Sequence, residues 1–218
     1  MGHSFAKLKF PGIRTTLSPE ALILRSDQDL CVLSSAVAGG GLTHVRCILN
    51  RHVSKHYSNS DPESDLREFA ASQGISEPFV GLMTAVYLDR VQVVSLRHSD
   101  LTVAAIVTAG LSNPASPGLS PAVDLAPGPI NIILLVDAQL TPAAMVNAII
   151  TATETKAHFL LGAGVRTPEG YPATGTSSDA VVVACTGRGA WLPYAGPVTQ
   201  VGWLIGRGVR QALEQALI

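Results

Sequence analysis

The stretch from Gly128 to Cys185 places the tightest limits on the fold of this chain. It contains the apolar run Ile130–Val136, a long segment that begins with Thr141 and Pro142, and a second apolar run, Asp179–Cys185. A continuous apolar run of strand length is typical of a strand buried on both faces. Threonine can cap the free N–H groups of a helix, and proline suits the first helical position because it has no N–H to lose. The stretch therefore predicts a strand, a long helix and another strand packed as one layered unit.

Further apolar segments predict that this unit belongs to a larger sheet. Three of them, Phe79–Leu88, Val91–Leu96 and Leu101–Gly110, are separated only by short polar breaks at residues 89–90 and 98–100. Such breaks are typical of hairpin turns between antiparallel strands. The sequence therefore predicts an α/β (α+β layered) fold, with mixed or largely antiparallel sheet layers flanked by helices. The length fits a single domain over residues 1–218.

Two more helices are predicted outside the central stretch. Asp61 followed by Pro62 is typical of a helix start, because an aspartate caps the first N–H groups, and Gly74 marks its end. The C-terminal residues Thr199–Ile218 predict an amphipathic helix. Its predicted inward residues are Val201, Leu204, Ile205, Val209 and Leu213.

The composition excludes several classes of protein. Hydrophobic residues make up 47% and charged residues 14% of the chain, which is too apolar for a disordered protein. The net charge of −1 provides no electrostatic reason to bind nucleic acid or an anionic membrane. No apolar run approaches the roughly 20 residues of a membrane helix, and the N-terminus lacks the apolar core of a signal peptide. We therefore expect a soluble, cytoplasmic protein with no nucleic-acid or membrane partner; a homo-oligomer remains open.

The long helix after Thr141 is predicted to have two distinct faces, because each residue turns the helix by about 100°. A predicted polar face collects Asn147, Thr151, Glu154 and His158. Lys156 lies about 200° around the axis from Glu154, so a straight helix cannot aim both side chains at one substrate atom. The face predicted to pack on the sheet carries Val146, Ile149, Ile150, Thr153, Ala157 and Leu160.

Seven segments between about Leu33 and Arg207 together resemble one known family. They are INIILLVD, LTPAAMVNAIITATETK, ATGTSSDAVVV and YAGPVTQVGWLIGR, with LSSAVAGGGL, NRHV and GLMTAV further upstream. In these segments the chain is similar to the adenosylcobinamide amidohydrolases, enzymes of corrinoid salvage. The resemblance implies hydrolysis of the amide that joins aminopropanol to a propionate of the corrin ring, which gives adenosylcobyric acid. It also implies a corrinoid as substrate or ligand and no separate cofactor.

The chain departs from the pattern of the resembled family at three places. The family usually has Gly-Thr where this chain has Gly128-Pro129, Glu-Ala-Lys where it has 154–156, and Thr-Gly-Thr-Gly-Thr-Asp where it has 174–179. The proline removes a hydroxyl and an N–H from a turn that could face a substrate. These departures leave open a second hypothesis, a corrinoid-binding protein that has lost catalysis.

The turn before the second buried strand is predicted to carry the chemistry. Amide hydrolysis needs a nucleophile or activated water, donors for the oxyanion and an acid for the leaving amine. Thr176 supplies a hydroxyl and Asp179 a carboxylate to such a site, and Glu154 on the preceding helix is a candidate base. Because the chain lacks a His-Glu-x-x-His zinc motif, a Gly-x-Ser-x-Gly elbow and a P-loop, we expect catalysis without a metal.

The remaining candidate residues are predicted to bind the substrate. The glycines near residue 40 expose backbone to a ligand, and the residues around position 50 follow the pattern of the resembled family. The predicted set is Gly40, Gly41, Asn50, His52, Asn113, Asn131, Asn147, Thr174, Gly175, Ser178 and Tyr194.

A third hypothesis comes from a second similarity. The order of buried strand, Asp, Leu-Thr-Pro helix and Thr-Gly turn is similar to that of self-cleaving aminopeptidases allied to ornithine acetyltransferases. Their nucleophile opens the buried strand, and in this chain that position falls at about Pro129. Because proline has no hydroxyl, it can be neither the nucleophile nor the cleaving group. Self-cleavage is therefore not expected, although the fold could be shared.

Overall fold

The computed structural model describes residues 8–122 and 128–217, which form twelve strands and three α-helices. The helices are α1 (Pro62–Ser72), α2 (Pro142–Gly162) and α3 (Gln200–Leu217). The strands are β1 (Ile13–Leu17), β2 (Ala21–Ser34), β3 (Gly41–His52), β4 (Phe79–Thr84), β5 (Gln92–His98), β6 (Leu101–Ala109), β7 (Pro114–Ala115), β8 (Ile130–Val136), β9 (Gln139–Leu140), β10 (Gly175–Thr176), β11 (Ala180–Cys185) and β12 (Trp191–Leu192).

The main sheet is mixed and has eight strands. Seven of them follow the order β4-β3-β2-β11-β8-β6-β5, and β1 pairs with β2 beside this path. The β3–β4 and β8–β11 pairs are parallel, whereas the other pairs of this sheet are antiparallel. The predicted fold class, with mixed sheet layers flanked by helices, is confirmed.

The main sheet curls over so that its two halves face each other. β3 and β8 are three places apart in the strand order, which in a flat sheet would separate them by about 14 Å. Nevertheless, the side chain of Asn131 on β8 donates a hydrogen bond of 3.1 Å to Asn50 on β3. The long strand β2 permits this curl, because its pairing with β3 is irregular between Arg25 and Leu30. Strands three places apart thus meet through their faces.

Helices cover both outer faces of the folded sheet. One core lies between the sheet and the α2–α3 layer, and a second lies between the two sheet halves. A third core lies between α1 and the half of the sheet that contains β2, β3 and β4. The four layers are therefore helix, sheet, sheet and helix. Across residues 8–122 and 128–217, no helix is both long and apolar enough to cross a membrane.

The predicted helix starts are confirmed. The side chains of Asp61 and Thr141 each accept a hydrogen bond of 3.1 Å from a backbone N–H in the first turn, and Pro62 and Pro142 occupy the position after the cap. All five predicted inward residues of α3 are buried. Ile218, the predicted last residue of that helix, lies outside the described residues.

The face of α2 that packs on the sheet differs from the predicted one. Val146 and Ile150 are 49% and 46% exposed, and Thr153 is also exposed. Leu160 of the predicted face is buried, but the rest of its stripe, with a spacing of four, is Ala144, Ala148, Ala152 and Lys156. Small alanine side chains let the helix backbone approach the sheet closely, and the prediction gave too much weight to large apolar residues.

One of the two predicted hairpins is wrong. Residues 98–101 do connect β5 and β6 as an antiparallel hairpin. Leu88–Arg90 instead form a short 3-10 turn, and β4 and β5 lie at opposite ends of the strand order. A short polar break permits a hairpin but does not require one, because β4 pairs with β3 instead.

Candidate active site

The candidate site lies at the sheet edge where β8 and β11 begin. These two strands are parallel, and Asn131 pairs with Ala180, so their first residues are neighbours. Asp179 immediately precedes β11, and its Oδ1 accepts a hydrogen bond of 2.9 Å from the backbone N–H of Ile130. The carboxylate therefore fixes the start of β8 against the turn that leads into β11.

Asp179 also forms a nearly buried ion pair with Lys156 of α2. The Nζ of Lys156 donates to Oδ2 of Asp179, and the two side chains are only 8% and 12% exposed. The hydroxyl of Thr176 donates to Oδ1, and the N–H of Thr176 donates to Oδ2 over 3.1 Å. With four donors on one carboxylate, Asp179, Lys156 and Thr176 form a connected polar cluster, which we call the Asp179 cluster.

The turn around residue 175 packs tightly against this cluster. A β-carbon on Gly175 would lie 2.7 Å from the Nζ of Lys156 and still closer to Oδ2 of Asp179, so any other residue would displace the ion pair or the turn. The loop after β6 holds the turn from the other side. Asn113 donates from Nδ2 to the hydroxyl of Ser177 over 2.6 Å, and its carbonyl accepts from the N–H of Ser177. The N–H of Thr174 also bonds to the carbonyl of Ala115.

A buried amide network supports the site from below. Asn50 donates to the hydroxyl of Thr108 over 3.2 Å, and Asn131 donates to Asn50 and to the carbonyl of Met83. Asn50 and Asn131 are 2% and 1% exposed, so this network joins the two sheet halves and holds β4 beside the start of β8. The structure therefore brings these two predicted residues together, as a buried support under the site.

A pocket of about 380 Å³ opens beside the Asp179 cluster, and we call it the site pocket. Pro129 and Ser178, which flank Ile130 and Asp179 in the chain, form one wall. The opposite wall comes from the end of β4 and from the segment before α1. The lining residues are Val37, Val53, Tyr57, Ser58, Asn59, Pro62, Met83, Thr84, Pro129 and Ser178.

A second pocket, of about 500 Å³, is lined by Gly128, the neighbour of the site-pocket residue Pro129, and we call it the flanking pocket. Gly128 and residues 109–112 border it on one side, and Lys55 and Arg90 add positive charge. Two cavities thus border the Gly128-Pro129 segment that leads into β8. The remaining lining residues are Ala85, Val86, Tyr87, Ala216 and Leu217.

Tyr57 is a pocket residue that the sequence analysis did not identify. Its hydroxyl donates to Oδ2 of Asp65 over 2.8 Å, and Asp65 is paired with Arg51 at 2.9 Å. Burial, together with the hydrogen bond to Asp65, raises the pKa of Tyr57 to about 12. Tyr57 is therefore a neutral hydrogen-bond donor at neutral pH. A tyrosine in a polar loop provides no sequence signal for this arrangement.

The structure does not bring Glu154 to the Asp179 cluster. Lys156 points inward to Asp179, and Glu154 lies about 200° around the axis of α2, where it is exposed. Lys156, rather than Glu154, is therefore the α2 residue at this site. The sequence does contain a signal for Lys156: alanines recur every four residues at positions 144, 148 and 152, and Lys156 is the next position in that series.

Five other predicted residues do not line the site pocket. Tyr194 is 70% exposed beside α2, and Asn147 lies nine residues before Lys156, which is about 13 Å along the helix axis. Gly40 and Gly41 are exposed at the start of β3, close in sequence to the pocket residue Val37. His52 lines a neighbouring cavity of about 420 Å³ instead.

We expect that replacing Glu154 with alanine leaves the enzyme nearly unchanged. The side chain is exposed, so the free energy of unfolding should change by no more than about 0.5 kcal/mol, and turnover by less than about twofold. Thermal unfolding and turnover of the purified variant measure both quantities. A loss of about hundredfold in turnover would return Glu154 to the catalytic set.

The fold and the strand-edge cluster define the class of protein: a four-layer helix–sheet–sheet–helix protein with its polar site where two parallel strands begin. A solved structure of a β-aminopeptidase from a Burkholderia species shares this fold, with a TM-score of 0.53 over 100% of this chain and 83% of that chain. The sequence identity is 13%, so the likeness concerns the fold alone.

The chain belongs to the adenosylcobinamide amidohydrolase family, whose family model matches residues 9–218. An adenosylcobinamide amidohydrolase from Methanosarcina mazei is 33% identical over 210 residues, which covers 92% of this chain and 96% of the relative. Another from Halobacterium salinarum is 39% identical over 122 residues, or 53% of this chain and 50% of the relative. The family resemblance seen in the sequence is confirmed, and it places the chain among enzymes that hydrolyse amide bonds.

Proposed function

We propose that this protein hydrolyses the aminopropanol amide of adenosylcobinamide to give adenosylcobyric acid, and that it acts in corrinoid salvage in the cytoplasm. The observation that carries the proposal is the nearly buried Lys156–Asp179 pair, whose aspartate follows the pocket-lining residue Ser178 directly, in a chain whose family match covers residues 9–218. Water adds to the amide carbon, the C–N bond breaks, and the products are a carboxylate and aminopropanol, which leaves protonated.

In this proposal the site pocket holds the amide-bearing arm of the corrinoid. Ser178 contacts the arm, because it lines the pocket next to Asp179. Lys156 provides the positive charge that favours the developing oxyanion, and Thr176 donates its hydroxyl and its N–H to Asp179, which fixes the turn beside that charge. Asp179 positions both residues and the entry of β8. The hydrogen bonds of Asn50 and Asn131 hold the strands that carry the pocket walls in fixed positions relative to one another.

The experiment that tests the proposal is incubation of the purified protein with adenosylcobinamide. We expect release of aminopropanol and formation of adenosylcobyric acid, measured by mass spectrometry. A shift of the corrinoid absorption spectrum without either product would instead support a non-catalytic corrinoid-binding protein. That alternative is favoured by one observation, since Pro129 lines the pocket where the family usually has a hydroxyl residue.

We expect a smaller effect from replacing Ser178 with alanine than from any change in the Asp179 cluster. The variant removes one pocket-lining hydroxyl and leaves the ion pair in place. The loss of a single neutral hydrogen bond to substrate corresponds to about 0.5–1.5 kcal/mol, so kcat/KM should fall about threefold to tenfold. Steady-state kinetics with adenosylcobinamide measures this. An unchanged kcat/KM would show that the substrate does not contact this wall of the pocket.

A further inference from the structure

Tyr87 lies where three cavities meet. It lines the flanking pocket, the cavity of about 420 Å³ that also contains His52 and Lys55, and a third cavity of about 330 Å³. Its side chain is exposed, with 64% of the residue accessible. A large aromatic ring that borders three cavities and remains this exposed is available for contact with a ligand.

The ring of Tyr87 is held in place by His52. The two rings stack with their centroids 5.1 Å apart and an angle of 29° between their planes. His52 is itself fixed, because its Nδ1 lies 3.1 Å from the carbonyl oxygen of Val86. A carbonyl oxygen can only accept, so Nδ1 carries the hydrogen of this bond. A ligand that stacks on Tyr87 therefore meets a ring whose orientation is already set.

Tyr87 is connected to the site pocket by a short, tightly packed segment. Thr84 lines the site pocket, and three residues of chain carry the backbone from there to Tyr87 by at most about 11 Å. The intervening Val86 packs close to the entry of β8. A β-carbon on Gly110 would lie 3.0 Å from Val86 and 3.3 Å from the carbonyl oxygen of Gly128. A ligand large enough to reach across the Gly128-Pro129 backbone would thus contact both the site pocket and Tyr87.

We propose that Tyr87, backed by His52, is the platform on which the adenine of the adenosyl group stacks, and that it makes the enzyme selective for adenosylated corrinoids. This inference rests on the proposed function, because adenosylcobinamide supplies the adenine. A purine has a planar π-face, and an aromatic ring that is held in one orientation can stack on it without needing a charged group. Lys55 and Arg90 flank the platform as donors for ribose hydroxyls and ring nitrogens, and within residues 8–122 and 128–217 neither has an ion-pair partner.

The first test compares adenosylcobinamide with cyanocobinamide as substrates. Replacing Tyr87 with leucine should lower kcat/KM for adenosylcobinamide about tenfold, which is the usual size of one base-stacking contact, and for cyanocobinamide less than about twofold. Tyr87→Phe should keep the wild-type preference, because the ring and not the hydroxyl makes the contact. Tyr171→Leu, which removes a tyrosine that is 41% exposed and lines none of the cavities described, is the matched control. Equal losses for both substrates, or no loss for either, would overturn the proposal.

A second measurement tests adenine stacking on Tyr87 independently of amide hydrolysis. If neither substrate releases aminopropanol, the proposed function fails, and saturation-transfer NMR with 5′-deoxyadenosine then decides the platform alone. Magnetisation transfer to the adenine protons in the wild-type protein, retained in Tyr87→Phe and lost in Tyr87→Leu, would support an adenine site in a protein that does not hydrolyse the amide. Absence of transfer in the wild type, or equal transfer in Tyr87→Leu, would overturn it.

Discussion

Asp179→Asn is expected to lower turnover of adenosylcobinamide by about hundredfold or more and the free energy of unfolding by about 3–5 kcal/mol. The carboxylate neutralises Lys156, whose side chain is only 8% exposed, and accepts from Ile130 and Thr176. Asparagine keeps the shape but leaves the ammonium group without a counter-charge in a nearly buried place. Denaturant unfolding and steady-state kinetics measure the two losses on the same preparation.

A double-mutant cycle with Lys156→Met separates stability from catalysis. Removing both charges should recover part of the lost stability, because a buried pair replaced by neutral groups is often close to neutral in free energy, whereas half a pair is not. Turnover should not recover, since the positive charge at the turn is gone. Asp29→Asn is the matched control: its pair with Arg46 has side chains 64% and 58% exposed, so the expected loss is below about 1 kcal/mol. A fully active Asp179→Asn variant would remove the Asp179 cluster from the mechanism.

The elements that the sequence predicted well are those whose signals are local. β8 has the bounds of its apolar run, and α1 and α2 begin after the predicted caps Asp61 and Thr141. A cap acts within one turn of helix, and a run of isoleucine and leucine needs no knowledge of its neighbours to indicate burial on both faces. The fold class follows from the order of such elements.

The order of the strands in the sheet could not be predicted from such local signals. β11 lies between β2 and β8, and its pairing with β2 joins residues more than 140 positions apart, such as Leu33 and Val183. Nothing in a local segment specifies these partners, and the curl of the sheet that brings Asn50 to Asn131 depends on an irregularity inside β2. The wrong hairpin at residues 89–90 has the same origin.

The candidate site was predicted in part. The turn around Thr176 and Asp179 was identified because hydroxyls, glycine and a carboxylate cluster within a few residues of a buried strand. The pairing of Lys156 with Asp179 was not predicted. The two residues are 23 positions apart, and their contact depends on which face of α2 packs inward. Tyr57 reaches the pocket from a polar loop through tertiary folding alone.

Gly175→Ala adds only one methyl group, and we expect it to have the second large effect on stability and turnover. The added methyl group would lie 2.7 Å from Nζ of Lys156 and closer still to Asp179, so the ion pair must separate or the turn must move. Overpacking of this kind costs about 1–3 kcal/mol, and a displacement of about 1 Å at a reacting group can cost about a hundredfold in rate. Unlike Asp179→Asn, this variant keeps every charged and hydroxyl group, so a loss of turnover would show that their placement matters.

Gly162→Ala is the matched control for the added methyl group. A β-carbon at Gly162, the last residue of α2, would contact nothing within 4 Å, and its backbone does not need glycine. This variant should gain about 0.4–1 kcal/mol in stability, because alanine restricts the unfolded chain, and should keep full turnover. Thermal unfolding and kinetics of both variants side by side give the comparison. If Gly175→Ala unfolds and turns over like Gly162→Ala, the cluster tolerates displacement, and its proposed role in positioning the turn and the start of β8 is wrong.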